Sequence, residues 1–189
     1  VSTPMVPDIE PSEFTGARVQ QAQGMEGMEG VERMEDAPAI LTRFFERGGA
    51  LRMLADLDEA DLASVRAYAA QRFAQGHIAG AQRVYFILAT LDQWSFDDWF
   101  GLGLCYQRLG QHEQALPCFA KAGVICASDP RPPYLAGISY EHMGNPTFAA
   151  RAYRATLRIC ARSPQHEPLA RSARARCDAL NSDSKPIRS

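Results

Sequence analysis

Seven positions in the middle of this chain recur at a single spacing. Gly103, Tyr106, Gly110, Ala115, Phe119, Cys126 and Pro130 return, all at one constant interval, as Gly137, Tyr140, Gly144, Ala149, Tyr153, Cys160 and Pro164. Measured backwards, the same interval meets a weaker first copy: Ala69, Gly76, Ala81 and Tyr85, with Phe73 one position out of register with Tyr106. A fixed period of this size means a stack of like units, each burying its apolar face only against its neighbours.

The residue types explain what each unit is. Small residues at Ala69, Gly103 and Gly137 let the first helix of a unit lie close against the second. Gly76, Gly110 and Gly144 follow the last turn of that first helix, where a left-handed C-cap favours glycine. Ala81, Ala115 and Ala149 sit where the second helix crosses its partner, and Tyr85, Phe119 and Tyr153 fill the same face one turn later. Asp129-Pro130 and Ser163-Pro164 punctuate the ends, because the residue before a proline avoids the helical region. A helix–turn–helix unit with a period of about 34 residues is the tetratricopeptide repeat. The expected fold is all-α: three repeats in a short superhelical solenoid, with an N-terminal helical segment and a C-terminal capping helix.

The spacing predicts helices over 61–75, 78–91, 95–109, 112–125, 130–143 and 146–161. Asp58, with Asp61 three residues on, opens the first in the manner of a capping box. An amphipathic helix over 165–181, carrying Leu169, Ala173, Cys177 and Leu180, is expected to cover the open end of the stack. Ahead of the repeats, Ile40, Leu41, Phe44 and Phe45 share a face that Gly48-Gly49 interrupts, and Leu51, Met53, Leu54 and Leu57 follow. The organisation is therefore 1–36 as a disordered acidic tail, 37–60 as the N-terminal helical segment, 61–163 as repeats, 164–181 as cap, and 182–189 as a fraying end.

Charge is small in sum and uneven in placement. The net value is −2. Residues 1–38 hold eight acidic side chains against Arg18 and Arg33, and residues 145–189 hold eight arginines and Lys185 against three acids. A basic end raises nucleic acid as a partner. Arg151, Arg154, Arg158 and Arg162, however, recur every three or four residues as one solvated helix face does, with no interleaved aromatics to stack bases. Nucleic-acid binding is not expected. Nor is stable membrane association, since no stretch approaches the ~18 apolar residues of a span. The five cysteines make no CxxC pair, and their positions near the repeat framework suit reduced, buried packing in a cytoplasmic protein.

No residue is singled out as catalytic, cofactor-binding or metal-ligating. His77, His112, His142 and His166 stand singly, and neither His112-Glu113 nor His166-Glu167 extends to HExxH. There is no phosphate loop and no GxSxG. Gly101-x-Gly103 falls inside a helix, where it serves packing. The reading is a binding protein and not an enzyme.

Three runs resemble one family. Phe45-Glu46-Arg47-Gly48-Gly49-Ala50-Leu51-Arg52-Met53-Leu54 is similar to the entry of the class II chaperones of bacterial type III secretion. So are Trp99-Phe100-Gly101-Leu102-Gly103-Leu104-Cys105-Tyr106-Gln107 and Asp129-Pro130-Arg131-Pro132-Pro133-Tyr134. The likeness spans roughly residues 44–161. It implies a cytoplasmic, ATP-independent chaperone that keeps hydrophobic translocator proteins soluble and unassembled before export. It also implies homodimerisation through the N-terminal segment, here Leu41, Phe44, Phe45, Leu51 and Leu54. Some members partner a transcriptional activator when free of client. In this family an extended client segment of the form Pro-x-Leu-x-x-Pro lies in the concave groove. Pro4-Met5-Val6-Pro7-Asp8-Ile9-Glu10-Pro11 of this chain is similar, one residue short of that spacing.

Repeat geometry reaches the groove separately. Counting within each first helix, the concave positions fall on Arg66, Ala70, Phe73 and Ala74, then on Asp97, Phe100, Leu104, Gln107 and Arg108. In the third repeat they are Arg131, Tyr134, Ile138, Glu141 and His142. Phe73, Phe100, Leu104, Gln107, Arg108, Tyr134, Ile138 and His142 are the expected peptide-binding residues. The apolar ones would take proline rings and a leucine, and Gln107 and Arg108 would bond an extended backbone. Arg66 and Ala70 replace the aromatics expected of the family, which predicts a more polar first pocket. A general tetratricopeptide scaffold or co-chaperone gripping another peptide is the alternative. Its carboxylate clamp would have only Arg66 and Arg131 to draw on, with Ala70, Gly101 and Leu135 at the other clamp positions.

Overall fold

The computed structural model describes residues 37–55 and 57–183. The expectations for residues 1–36, including the Pro4–Pro11 segment, lie outside them, as do those for 184–189. The described chain divides into one unit ending at Gly49 and another beginning at Ala50.

In the first unit, helix α1 runs Ala37–Glu46. Gly48 ends it with φ 86°, and the Gly49 N–H reaches back to the Phe44 carbonyl at 2.9 Å. The rings of Phe44 and Phe45 meet edge-on, 5.2 Å apart. Gly49 is required here for space, since a Cβ would strike the Phe44 ring.

The second unit contains α2 (Leu51–Leu54), α3 (Glu59–Ala74), α4 (Ile78–Leu91), α5 (Phe96–Arg108), α6 (His112–Ile125), α7 (Arg131–His142), α8 (Pro146–Cys160), a 3-10 turn (Pro164–His166) and α9 (Glu167–Asp183). From α3 onward each helix packs on its successor, as a solenoid of helical pairs requires. The six expected repeat helices stand within two residues of the observed ends. The cap runs two residues further than expected, to Asp183. Leu51–Leu54, read from sequence as part of the N-terminal segment, groups with the solenoid: α2 packs on α4, and Arg52 Nε donates to Asp92 at 2.8 Å.

Local chemistry accounts for the boundaries. Asp58 Oδ1 accepts from the Asp61 N–H at 2.8 Å, and Ser95 and Asn145 cap α5 and α8 through the N–H three residues on. Gly76, Gly110 and Gly144 have φ of 81°, 73° and 69°. Beyond each, the next N–H bonds a carbonyl five residues back at 2.9 Å (His77 to Arg72, Gln111 to Tyr106, Asn145 to Tyr140), which is the Schellman closure. A Cβ at these three glycines would meet nothing within 4 Å, so backbone conformation alone selects them.

The echo residues form the interior. Ala69, Ala81, Ala115 and Ala149 are fully buried, and Tyr85, Phe119 and Tyr153 are nearly so. Each of those aromatics lies against a glycine. Phe119 covers Gly103, where a Cβ would come within 2.6 Å of the ring, and Tyr153 covers Gly137 in the same way. The first repeat carries Ala69 at this position. Its Tyr85 lies instead on Gly101 of the following helix, where a Cβ would come within 2.7 Å. Gly101-x-Gly103 thus serves two repeats, one glycine for each aromatic.

Candidate peptide-binding groove

The first helices of the repeats, α3, α5 and α7, are neighbours along one side of the stack, and polar contacts tie each to the next. Arg66 on α3 donates to Asp98 on α5 through Nε and Nη2, at 2.8 and 3.0 Å. The same guanidinium reaches Glu59 at 3.1 Å. Asp98 is fully buried, so this bidentate pair supplies the compensation a buried carboxylate needs. Gln107 on α5 donates through Nε2 to the Leu135 carbonyl and to Ser139 Oγ on α7, both at 2.9 Å. Arg176 on α9 donates to Glu141 on α7 at 2.6 Å and lies 6.0 Å over the Tyr153 ring.

Arg131, at the start of α7, spreads over two rings of α5, with its guanidinium 5.5 Å from the centre of Phe96 and 4.9 Å from that of Phe100. Asp129 holds it there through contacts of 2.7–3.1 Å. Beneath it Phe96 and Phe100 stack at 5.3 Å, and Phe100 leans on Phe119 at 6.0 Å. Half-buried Asp97 sits among these charges. Burial pushes its carboxyl above the usual range, with Asp98 and Asp129 adding to the rise and Arg66 and Arg131 opposing it.

The expected groove residues fall into two groups. Phe100 is 1% exposed and Tyr134 3%, and Leu104 and Ile138 are buried with them. Phe100 and Tyr134, expected to line the groove, are thus part of the interior. Gln107 is also buried, with its amide engaged by α7 and not presented to an incoming backbone. Phe100 leans on Phe119 of α6 and Tyr134 on Tyr153 of α8, so each ring packs on the second helix of its own repeat, while Gln107 reaches across to α7. In the second group, Phe73 is half-buried, with exposed Arg108 5.8 Å over its ring, and exposed His142 stacks on His112 at 4.5 Å and 5°. Burial, then the neighbouring His142, lowers the His112 pKa, and its Nδ1 is buried without a partner.

Arg66 and Arg131 are engaged by Asp98 and Asp129, which removes the two cations a carboxylate clamp would have used. Sequence reasoning missed Asp98, Ser139 and Arg176. Among the residues expected in the N-terminal contact, Phe44 is half-buried, while Phe45 and Leu51 are exposed. The side chains of Leu41 and Leu54 fall outside the described set. Among the described residues no group of three or more His, Cys, Asp or Glu could hold a metal, and no helix is long and apolar enough to cross a membrane. A separate cleft of ≈ 320 Å³ opens between α6, α7 and α8, lined by Leu116, Ala120, Pro133, Ala136, Ala155 and Ile159.

These features define a tetratricopeptide solenoid whose concave side is polar at the surface and aromatic beneath. The chain resembles the class II translocator chaperones of type III secretion in sequence and in fold. No family model matches it. Low calcium response locus protein H of Yersinia pestis is 27% identical over 93 residues, which cover 49% of this chain and 55% of that protein. The match thus spans about half the length of the curated relative. A chain in the crystal structure of a T3SS complex from Aeromonas hydrophila superposes with a TM-score of 0.75 at 25% identity, covering 78% of this chain and 99% of that one. PcrH from Pseudomonas aeruginosa gives a TM-score of 0.63 at 29% identity, covering 66% and 95%. PcrH has also been solved in complex with the chaperone binding region of PopD, with a TM-score of 0.67 at 28% identity, covering 68% and 97%.

Proposed function

We propose that this chain is a cytoplasmic, ATP-independent chaperone that holds an extended segment of a type III secretion translocator in its concave groove and acts as a homodimer. The observation that carries the reading is the face built by α3, α5 and α7: apolar rings under a thin polar cover, on a fold shared with proteins solved with translocator segments. On this reading the Arg131 guanidinium gives up the faces of Phe96 and Phe100 to a proline or leucine of the client. Arg108 does the same for Phe73. Asp97, with its carboxyl raised by burial, then accepts a backbone N–H of the extended segment, which relieves its desolvation. Hydrophobic burial supplies the affinity, and occupancy keeps the client from premature association.

The test uses exposed or half-exposed groove positions, because substituting Phe100 or Tyr134 would remove core contacts as well. The full chain and an Asp97→Lys/Arg108→Glu variant are each co-expressed with a translocator from the same secretion locus. Pull-down of soluble client by the wild type, and its loss by the variant at unchanged melting temperature, is the expected result. Equal capture by both proteins would refute the groove assignment.

A further inference from the structure

The interval that relates the repeats also shows where they differ. The cleft between α6, α7 and α8, ≈ 320 Å³ in volume, lies at the junction of the second and third repeats. One interval earlier, its lining residues have larger counterparts. Ala120 corresponds to Phe86, Pro133 to Trp99, Ala136 to Leu102 and Ala155 to Lys121. Leu102 is buried and Trp99 packs against the same core, whereas Ala136 and Pro133 are too short to fill the corresponding space. The later junction is open where the earlier one carries bulk.

The two rims of the cleft differ in character. On α8, Arg151, Arg154 and Arg158 immediately precede Ala152, Ala155 and Ile159 of the lining, and all three arginines are exposed. None of them forms an ion pair among the described residues, and α8 contains no acidic residue. On α6, Pro117, Ala120 and Val124 are exposed, Val124 to 73%, and Glu113 is the one acid of that helix. Exposed Phe148 stacks on the lining residue Tyr140 at 5.4 Å and continues the apolar surface toward the start of α8.

What such a cleft can hold follows from its hydrogen-bonding capacity. Its walls are helices, whose backbone groups bond within them. Pro132 and Pro133, where α7 begins, have no N–H to offer, and the polar side chains of the lining are Asp129, held by Arg131, and Tyr140. An extended chain would leave its backbone unpaired here; a helix would not. From Ala152 to Ile159 the wall is about 10 Å long at about 1.5 Å per residue, or two turns, which suits apolar side chains spaced i, i+4 and i+7. The unpaired guanidiniums beside it match carboxylates on the flank of that helix.

We propose that this cleft docks an amphipathic helix of a partner protein, with its apolar ridge on Ala120, Ala136 and Ala155 and its acidic flank against Arg151, Arg154 and Arg158. On α7, Pro133, Ala136 and Tyr140 lie on the opposite side from Arg131, Tyr134 and Ile138, at about 100° per residue. The cleft and the concave groove can therefore be occupied together.

Fluorescence anisotropy of the full-length protein tests this with a labelled, alanine-based helical probe of about 18 residues, carrying leucines at i, i+4 and i+7 and glutamates along one flank. At about 20 mM salt, Ala120→Phe/Ala136→Leu, which restores the bulk of the preceding repeat, should weaken binding about tenfold or more. Ala152→Gln/Ala155→Gln, on the half-buried wall, should weaken it likewise at unchanged melting temperature, and decides the matter if the first variant is unstable. Arg151→Gln/Arg154→Gln/Arg158→Gln should weaken it about eightfold, each exposed pair contributing a factor of about two, and about 0.5 M salt should erase that difference. The groove variant Asp97→Lys/Arg108→Glu should bind the probe as the wild type does, which separates this proposal from the groove assignment. No binding at about 0.5 mM protein overturns the proposal, as does equal binding by the wild type and the Ala152→Gln/Ala155→Gln variant. Equal binding of a probe with lysines in place of the glutamates overturns it too. So does equal binding of a probe with glutamines in place of the leucines, which would mark a charged surface open to any polyanion, nucleic acid included. Loss of binding in the groove variant alone would move the probe to the concave side and equally overturn it.

Discussion

Removing Arg66 should destabilise the solenoid far more than a surface ion pair would. Asp98 is fully buried and its two oxygens accept from one guanidinium at 2.8 and 3.0 Å. At an effective dielectric of about 20, unit charges about 4 Å apart attract by about 4 kcal/mol, which offsets much of the cost of burying the carboxylate. Arg66→Met leaves that carboxylate buried and without its partner, so the expected loss is about 3–5 kcal/mol. For a chain of this size that lowers the melting temperature by roughly 10 °C. Asp98→Leu should cost less, because Arg66 keeps Glu59 at 3.1 Å and some access to water. The double variant Arg66→Met/Asp98→Leu should return to within about 1 kcal/mol of wild type, since an apolar pair of similar volume replaces the ions. Thermal and urea unfolding of all four proteins close the cycle. If Arg66→Met costs less than about 1 kcal/mol, or if the two single effects simply add, the pair does not hold the first repeat to the second.

Two glycines should respond with opposite sign. Gly137→Ala drives a Cβ into the enclosed Tyr153 ring and should cost about 1–3 kcal/mol. Gly123→Ala meets only Pro132, at 3.8 Å, and should gain about 0.5–1 kcal/mol of helix propensity; urea midpoints read both. Burial pushes the Cys105 and Cys118 thiols up to about 12 and about 11. Iodoacetamide at about pH 8 should therefore spare both in the folded protein and label them once it is unfolded; labelling of either as fast as half-buried Cys126 would contradict their enclosure. The lowered His112 pKa means the unfolded chain binds the extra proton first. The stabilisation is present above the ordinary histidine value of 6.5 and is lost as pH falls below it. A His112→Gln variant should show a flatter dependence of melting temperature between about pH 7 and about pH 5, and an unchanged slope would remove His112 as the cause.

The frame was legible because its residues are selected by local geometry that repeats. Gly76, Gly110 and Gly144 are needed for a positive φ, and Gly103 and Gly137 for space under a ring. Such requirements recur wherever the unit recurs, so one spacing reveals them all. The groove was less legible for the same reason in reverse. Phe100 and Tyr134 were assigned to the lining from their positions on the first helix, yet each packs on an aromatic of the second helix, Phe119 or Tyr153, which counting along one helix does not register. Asp98 left no signal: two aspartates in a first turn look like ordinary dipole partners until Arg66, from the preceding repeat, is seen to reach one of them. Arg176 was hidden by its setting in a helix rich in exposed arginines.

What varies between the repeats says most about the ligand that the proposed groove would take. At successive concave positions the residues run Ala63, Asp97, Arg131; Arg66, Phe100, Tyr134; Ala70, Leu104, Ile138; and Ala74, Arg108, His142. On the second helices, by contrast, Ala81, Ala115 and Ala149 are identical and Tyr85, Phe119 and Tyr153 are all aromatic. A groove meant for a repetitive partner would repeat its lining as well. This one changes character with each unit, from a polar first repeat sealed by Arg66 and Asp98 to aromatic second and third repeats under Arg131 and Arg176. First helices of adjacent repeats lie about 10 Å apart, which is about three residues of extended chain. On the proposed reading, a segment threaded along them would meet a different chemical demand roughly every third residue. It must offer polar backbone or small side chains to the first repeat and apolar rings or branched side chains to the later ones. On the proposed reading that gradient would select the register of the segment, because a shift of one repeat would place its apolar residues against the charged cluster of Arg66, Asp98 and Glu59.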